Sequence, residues 1–182
     1  MAQPQVPIEV DPETGIWSTD GLPMVYLPRH FLVNMQKGVE DAIGPEAYRK
    51  ILYGSSDLSA LQWCRAEART HGLSPLETFR HYLRRLSQRG YGQLEITALD
   101  EAAGTGAVTV RNSAFALGYG PGAGRKVCYM FEGSFAGGMR YVLEMAGRKG
   151  EPACREVACA AEGHPECRFE LRCDAVRRSE GC

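Results

Sequence analysis

The sequence predicts an α+β fold, with N-terminal helices packed on an antiparallel sheet, a long helix, and a metal-binding hairpin at the C-terminus. Three observations lead there. Helical periodicity is grouped in the first half of the chain and strand-like segments dominate the second, where a doubly wound sheet would alternate them. At 182 residues and 44% apolar content, the chain has the length of one domain and enough apolar material for one core. Near the C-terminus, Glu156-x2-Cys159-x7-Cys167, with Cys128 upstream, offers the donor types and spacing of a tetrahedral metal site.

Residues 1–28 read as an extended segment, in which Val6, Ile8, Val10, Ile16, Trp17 and Met24 to Leu27 are broken by turn residues such as Asp20-Gly21. Pro28 opens a helix to about Ile43, where Phe31, Met35, Val39 and Ile43 recur every fourth position on one face. Gly44-Pro45 ends it and starts a second helix to about Tyr53; a third spans roughly 57–70 and stops at Gly72. In the fourth, Ser74-Pro75-Leu76-Glu77 joins an N-cap hydroxyl, a first-turn proline and a capping-box glutamate. Leu76, Phe79, Leu83 and Leu86 give it a core face. Arg80, Arg84, Arg85 and Arg89 lie opposite, as a phosphate-binding stripe or, favoured by the near-neutral net charge, a solvated face.

Two strands follow, near 91–98 and 107–112, joined through the turn-prone Ala103-Gly104-Thr105-Gly106. A glycine-rich loop then leads to a long helix near 127–147, and a hairpin of 153–161 and 167–173 closes the domain. The expected organisation is the extended segment 1–28, a domain over 29–173 and a flexible tail over 174–182.

A formal charge of -1 argues for neither nucleic acid nor an anionic membrane as partner. No apolar run approaches the roughly 18 residues of a membrane span, and the first residues lack the pattern of a secretory signal. The expected location is the cytoplasm, where thiols stay reduced. Seven cysteines suit a disulfide framework poorly, and Cys128, Cys154, Cys159, Cys167 and Cys173 are clustered, which reads as metal binding. Cys64, beside Trp63 in a helical pattern, reads as a small buried hydrophobe, and Cys182 as part of a disordered terminus.

Cys159 and Cys167 flank a polar turn, so a hairpin brings their sulfurs to one end of the ladder; thiolates with a carboxylate suit zinc. Glu156 is the natural carboxylate, although strand alternation puts 156 and 159 on opposite faces unless a bulge intervenes. If 161 pairs with 166, Cys154 lies opposite Cys173, and the two serve as structural thiols, a cross-strand pair or substitute ligands. The competing reading of the whole group is small buried cysteines in a hairpin.

The segment from Cys154 to Leu171, with Cys154-Arg155-Glu156-Val157-Ala158-Cys159 and Glu162-Gly163-His164-Pro165-Glu166-Cys167, resembles the signature hairpin of the 4-vinyl reductase domain family. That family includes the sensor domains of phenol- and xylene-responsive bacterial activators. The likeness spans roughly residues 90–173. It implies a zinc ion held by Cys128 at the start of the long helix and by Glu156, Cys159 and Cys167. Four protein ligands leave no open position, so such an ion is structural. The resemblance also implies a homodimer and an apolar pocket between that helix and the sheet, with Arg111, Tyr119, Tyr129, Phe131 and Phe135 as ligand-binding candidates. This chain departs from the sensors in a longer link, Gly147 to Glu151. Its front, Ile16 to Met24 and Tyr26 to Phe31, is similar to stand-alone relatives associated with demethylation of dimethylglycine and related methylated amines.

The loop from Gly118 to Lys126 has the layout of a phosphate cradle, but Lys126 precedes Val127 and no G-x-G-x-x-G register fits, so it reads as a connector or pocket lid. In the long helix, Phe131, Phe135, Met139 and Val142 form an apolar row, while Gly133, Ala136 and Gly137 form a small patch that admits a close neighbour or leaves room for a ligand. The four histidines are scattered, and neither a nucleophile elbow nor H-E-x-x-H occurs, so no catalytic residue is expected. The sequence therefore points to a zinc-stabilised sensor or carrier for a small organic ligand. The alternatives are a reductase or its accessory subunit, and an interaction scaffold, since the implied fold is similar to vesicle-tethering subunits.

Overall fold

In the computed structural model, which describes residues 6–174, an extended front carries β1 (Glu9–Val10), β2 (Trp17–Thr19) and β3 (Leu22–Met24), paired antiparallel in that order. Three helices follow, α1 (Arg29–Ile43), α2 (Pro45–His71) and α3 (Pro75–Gln88). Then come β4 (Gln93–Asp100), β5 (Thr105–Arg111), the short α4 (Ala114–Tyr119), α5 (Tyr129–Met145), β6 (Glu151–Ala158) and β7 (Cys167–Asp174). The second sheet is antiparallel with strand order β4-β5-β7-β6. This is the expected α+β arrangement. The tail expected over 174–182, apart from the last strand residue Asp174, and Cys182 lie outside the described residues.

The layers meet at α5, which is buried on nearly every side, as a helix apolar all round must be. Phe131, Phe135, Met139 and Val142 are fully buried. Phe131 and Phe135 stack at 5.6 Å, and Phe169 of β7 meets Phe135 edge-on at 5.1 Å. The small patch faces α2 instead. A Cβ added at Gly133 would lie 2.2 Å from the Tyr53 carbonyl oxygen, and one at Gly137 would lie 2.1 Å from that of Asp57. These glycines let two backbones touch; the room they leave is filled by a helix.

That contact corrects the reading of 45–53 and 57–70 as separate helices. Gly54-Ser55-Ser56 is a weak helix former taken alone, but the segment is continuous helix because α5 crosses it there, burying Ser56 and Asp57. Tertiary packing decides what propensity leaves open.

A second correction concerns α1. Phe31, Met35 and Ile43 do share a face, but it points outward, with about half of each residue exposed. The inner face carries Val33, Gln36 and Glu40. Gln36 Nε2 donates to the Val127 carbonyl at 2.9 Å, and the Tyr119 hydroxyl donates to Glu40 Oε2 at 2.7 Å. Arg125 pairs with the same carboxylate at 2.5 Å. A buried polar network docks this helix. The α3 start is as expected: Ser74 and Glu77 form a complete capping box. Arg80 and Arg84 face water, whereas Arg85 and Arg89 turn inward, which splits the predicted arginine stripe.

Candidate metal centre and ligand cleft

Four donors converge where the start of α5 meets the β6–β7 hairpin. Cys128 is the residue before α5, Glu156 lies in β6, Cys159 follows that strand, and Cys167 opens β7. All four are buried and their ligand atoms lie within 4.8 Å of one another. The parity conflict between 156 and 159 is removed by a bulge: Glu156 pairs with Phe169 and Ala158 with Arg168, so Val157 is the extra residue. The same ladder puts Cys154 opposite Leu171 and Pro152 opposite Cys173, so the register expected for Cys154 and Cys173 does not form. Neither of those two belongs to the converging group.

The Cys128, Cys159 and Cys167 sulfurs are 3.7, 3.8 and 4.0 Å apart. A tetrahedral zinc site with Zn–S bonds of about 2.3 Å separates its sulfurs by about 3.8 Å. Glu156 Oε2 accepts the Cys128 backbone N–H at 3.2 Å, while Oε1 is buried without a hydrogen-bond partner among the described residues. The Ala160 N–H points at Cys167 Sγ, at 3.3 Å, as amides do toward a charged sulfur. Donor type, spacing and the orphaned carboxylate oxygen all fit a metal ion held by these four residues.

Electrostatics argue the same way. Burial, with the neighbouring Cys159 charge, pushes the Glu156 carboxyl up to about 9. Burial and hydrogen bonding to the other two sulfurs also raise the Cys128 thiol far above its ordinary value. Four acidic groups packed without a cation cannot all ionise; a divalent ion would let them. Sequence reasoning missed Glu132 beside this cluster. Its Oε1 accepts the Glu156 backbone N–H at 2.7 Å, and Arg49 grips it at 2.6 and 2.9 Å.

The five expected pocket residues separate into three places. Arg111 is 59% exposed at the end of β5, 3.7 Å from Glu95. Tyr119 and Tyr129 join the Glu40–Arg125 cluster, where Arg125 donates to the Tyr129 hydroxyl at 2.5 Å. Phe131 and Phe135 are core. The loop before α5 serves as a connector: Gly124 donates to the Ala161 carbonyl at 3.1 Å and Lys126 pairs with Glu162, so it is tied to the hairpin turn.

A cleft of about 500 Å³ opens elsewhere, between β3, α2, α3 and α5. Trp63, Tyr82, Tyr91, Met24 and Ser134 line it together with Arg89. Trp63 and Tyr82 meet at 4.9 Å, and the Arg89 guanidinium lies over the indole at 5.5 Å. Trp63 Nε1 and Arg89 Nε and Nη2 are buried without hydrogen-bond partners among the described residues. A mostly apolar cleft with a few polar groups in its walls is the usual form of a small-molecule site. The wider groove beside β6, about 820 Å³, is lined instead by charged side chains such as Arg49, Lys50, Arg155 and Arg172. The sequence signal for the cleft was Trp63 beside Cys64, read only as core.

Residues 2–97 match the family described as "Domain of unknown function (DUF5943)". No curated protein sequence matches the chain. Among solved structures, the fold is similar to the phenol-responsive sensory domain of the transcription activator PoxR, bound to phenol. That match has a TM-score of 0.76 and 20% identity, and covers 91% of this chain and 84% of that one. It is also similar to a trafficking protein particle complex subunit 3 from Naegleria fowleri, covalently bound to palmitic acid. There the TM-score is 0.57 and identity 11%, over 82% of this chain and 98% of that one. At these identities the likeness establishes the fold alone. No helix among the described residues is long and apolar enough to cross a membrane.

Proposed function

We propose that this chain, which belongs to the family described as a domain of unknown function (DUF5943), is a small-molecule-binding domain of sensor or carrier type. The observation that carries the reading is the cleft in which Trp63 Nε1 and two nitrogens of Arg89 are buried with their hydrogen-bonding capacity unused. A buried donor left without an acceptor costs about 1–3 kcal/mol. All three are donors, so a ligand that reached them through the cleft wall would present acceptor oxygen, as a carboxylate or carbonyl does. The apolar lining from Met24, Leu52 and Met130 suits an apolar or methylated body. A small methylated amino acid such as dimethylglycine combines both features, in keeping with the association drawn from the front of the chain.

Within the same reading the domain is of the 4-vinyl reductase type, and zinc bound by Cys128, Glu156, Cys159 and Cys167 pins the β6–β7 hairpin to α5. The ion's part is structural, because the four protein donors complete its coordination. The outward Phe31–Met35 stripe of α1 is the face we assign to a homodimer, which light scattering of a Met35→Glu variant would test as loss of the dimer.

Calorimetry with dimethylglycine, phenol and benzoate on the wild-type chain and on Arg89→Gln tests the ligand reading. Saturable binding of a carboxylate, weakened at least tenfold in the variant, is the expected result. Failure of all three to bind or to raise the melting temperature would remove the sensor reading and leave the scaffold.

A further inference from the structure

We infer that Asp20, Glu67, His71 and His81 form a divalent-metal site, separate from the sulfur cluster, that fastens the β2–β3 hairpin to α2 and α3. The four come from three separate elements, and no motif groups them. The fold brings them together: Glu67 and His71 are one turn apart on the last part of α2, His81 comes from α3, and Asp20 sits in the turn between β2 and β3. Their ligand atoms all lie within 4.8 Å of one another.

The geometry is that of convergence on a point. His81 Nε2 is 2.9 Å and His71 Nε2 3.3 Å from the same Glu67 Oε2, and His71 Nε2 is 3.6 Å from Asp20 Oδ1. Glu67 is completely buried, yet its Oε1 has no hydrogen-bond partner among the described residues. A buried carboxylate normally has all its oxygens satisfied. Two imidazoles with two carboxylates make a nitrogen–oxygen donor set of the kind that binds zinc, manganese or iron.

The surroundings hold Asp20 in place for that task. Arg85 Nη2 lies 2.8 Å from both of its carboxylate oxygens. The Asp20 backbone has φ of 54° and Gly21 φ of 76°, the pair of positive values that a two-residue Asp-Gly hairpin turn adopts, so the turn itself fixes where Asp20 starts. Arg85 thus supplies the outer contact that orients a ligating carboxylate, and it offsets one of the two negative charges. The consequence reaches the cleft. Asp20 lies two positions before the start of β3, whose Leu22, Pro23 and Met24 form one wall of it. An ion at this site ties that wall to the two helices opposite; this last step, unlike the site itself, rests on the ligand reading above.

The test is cobalt uptake by the metal-free full chain, followed optically and by elemental analysis, for the wild type, His71→Gln and Glu67→Gln. His71 is partly exposed, so its variant folds even if Glu67→Gln does not. Expected is one equivalent of Co2+ lost in His71→Gln, with loss of ligand-field bands. The thiolate-to-cobalt charge-transfer band of the sulfur cluster should persist. Hydrogen exchange of residues 17–24 should also become faster in that variant. Equal cobalt content in the wild type and His71→Gln would overturn the site, as would bands arising from thiolate coordination alone. Neither outcome depends on ligand calorimetry, so failure of this site and failure of the ligand reading are separable.

Discussion

Glu132 holds Glu156: the carboxylate of the first accepts the backbone N–H of the second at 2.7 Å, from inside a two-point grip by Arg49. One α5 side chain therefore links α2 to the strand residue whose own carboxylate enters the sulfur cluster. Replacing Glu132 by Ala leaves Arg49 and a buried amide without partners and should destabilise the fold by about 3 kcal/mol. Outer contacts of this kind typically change metal affinity by about 10–100-fold. Urea denaturation and competition with a chelator measure the two effects. Unchanged metal affinity in Glu132→Ala would separate Glu132 from the cluster's function.

Cys159→Ser and Cys167→Ser each remove one of three sulfurs set at metal-site spacing. Because metal binding and folding are coupled where ligands come from separate elements, both variants should lose zinc and melt at lower temperature. A chelator should lower the melting temperature of the wild type and hardly affect either variant. Full zinc content in both variants, by elemental analysis, would sink the assignment.

The residues that were readable in advance share a property: their signal is local. The Ser74–Glu77 capping box and the hairpin at Cys159 and Cys167 depend on neighbours a few positions away, and both formed as expected. Misreadings arose where distant chain decides. The Phe31–Met35–Ile43 row carries a valid helical period, but periodicity does not say which side the rest of the protein occupies. Gln36, Glu40 and Arg125, the last of them 85 positions beyond Glu40, settle that. The bulge at Val157 is likewise invisible in alternation, although the conflict it resolves was legible. Asp20, Glu67, His71 and His81 left no trace, since three elements must fold before the four side chains meet.

Gly137 is the most constrained small residue in the molecule's centre. An added Cβ would lie 2.1 Å from the Asp57 carbonyl oxygen, and backbone cannot swing aside as a side-chain tip does. Overpacking ordinarily costs about 1–3 kcal/mol, and Gly137→Ala should fall at or above the upper end because α2 and α5 must separate. Gly54→Ala is the control, since nothing lies within 4 Å of its added Cβ and alanine favours helix. Comparable melting temperatures for the two variants would show that the helices do not approach closely here.

Glu40 supplies an acid-sensitive contribution to stability whose sign follows from its surroundings. Burial alone would raise its pKa, but hydrogen bonds from Arg125, Tyr119 and Gln36 outweigh burial and hold the carboxyl below its ordinary value. As pH falls, the unfolded chain then takes up this proton before the folded one does. The stabilisation is therefore complete above the ordinary carboxylate pKa of about 4.3 and disappears as pH drops through the lower folded value. Arg125 keeps 38% of its side chain in water, which weakens the pair, so Glu40→Gln should cost about 1–2 kcal/mol near neutrality. The difference between wild type and variant should shrink steadily below about pH 4, as the wild-type carboxyl becomes protonated too. Urea midpoints across that range measure it. A gap that widens on acidification would mean that Glu40 is protonated in the folded state, and that α1 is not docked by an ionised carboxylate.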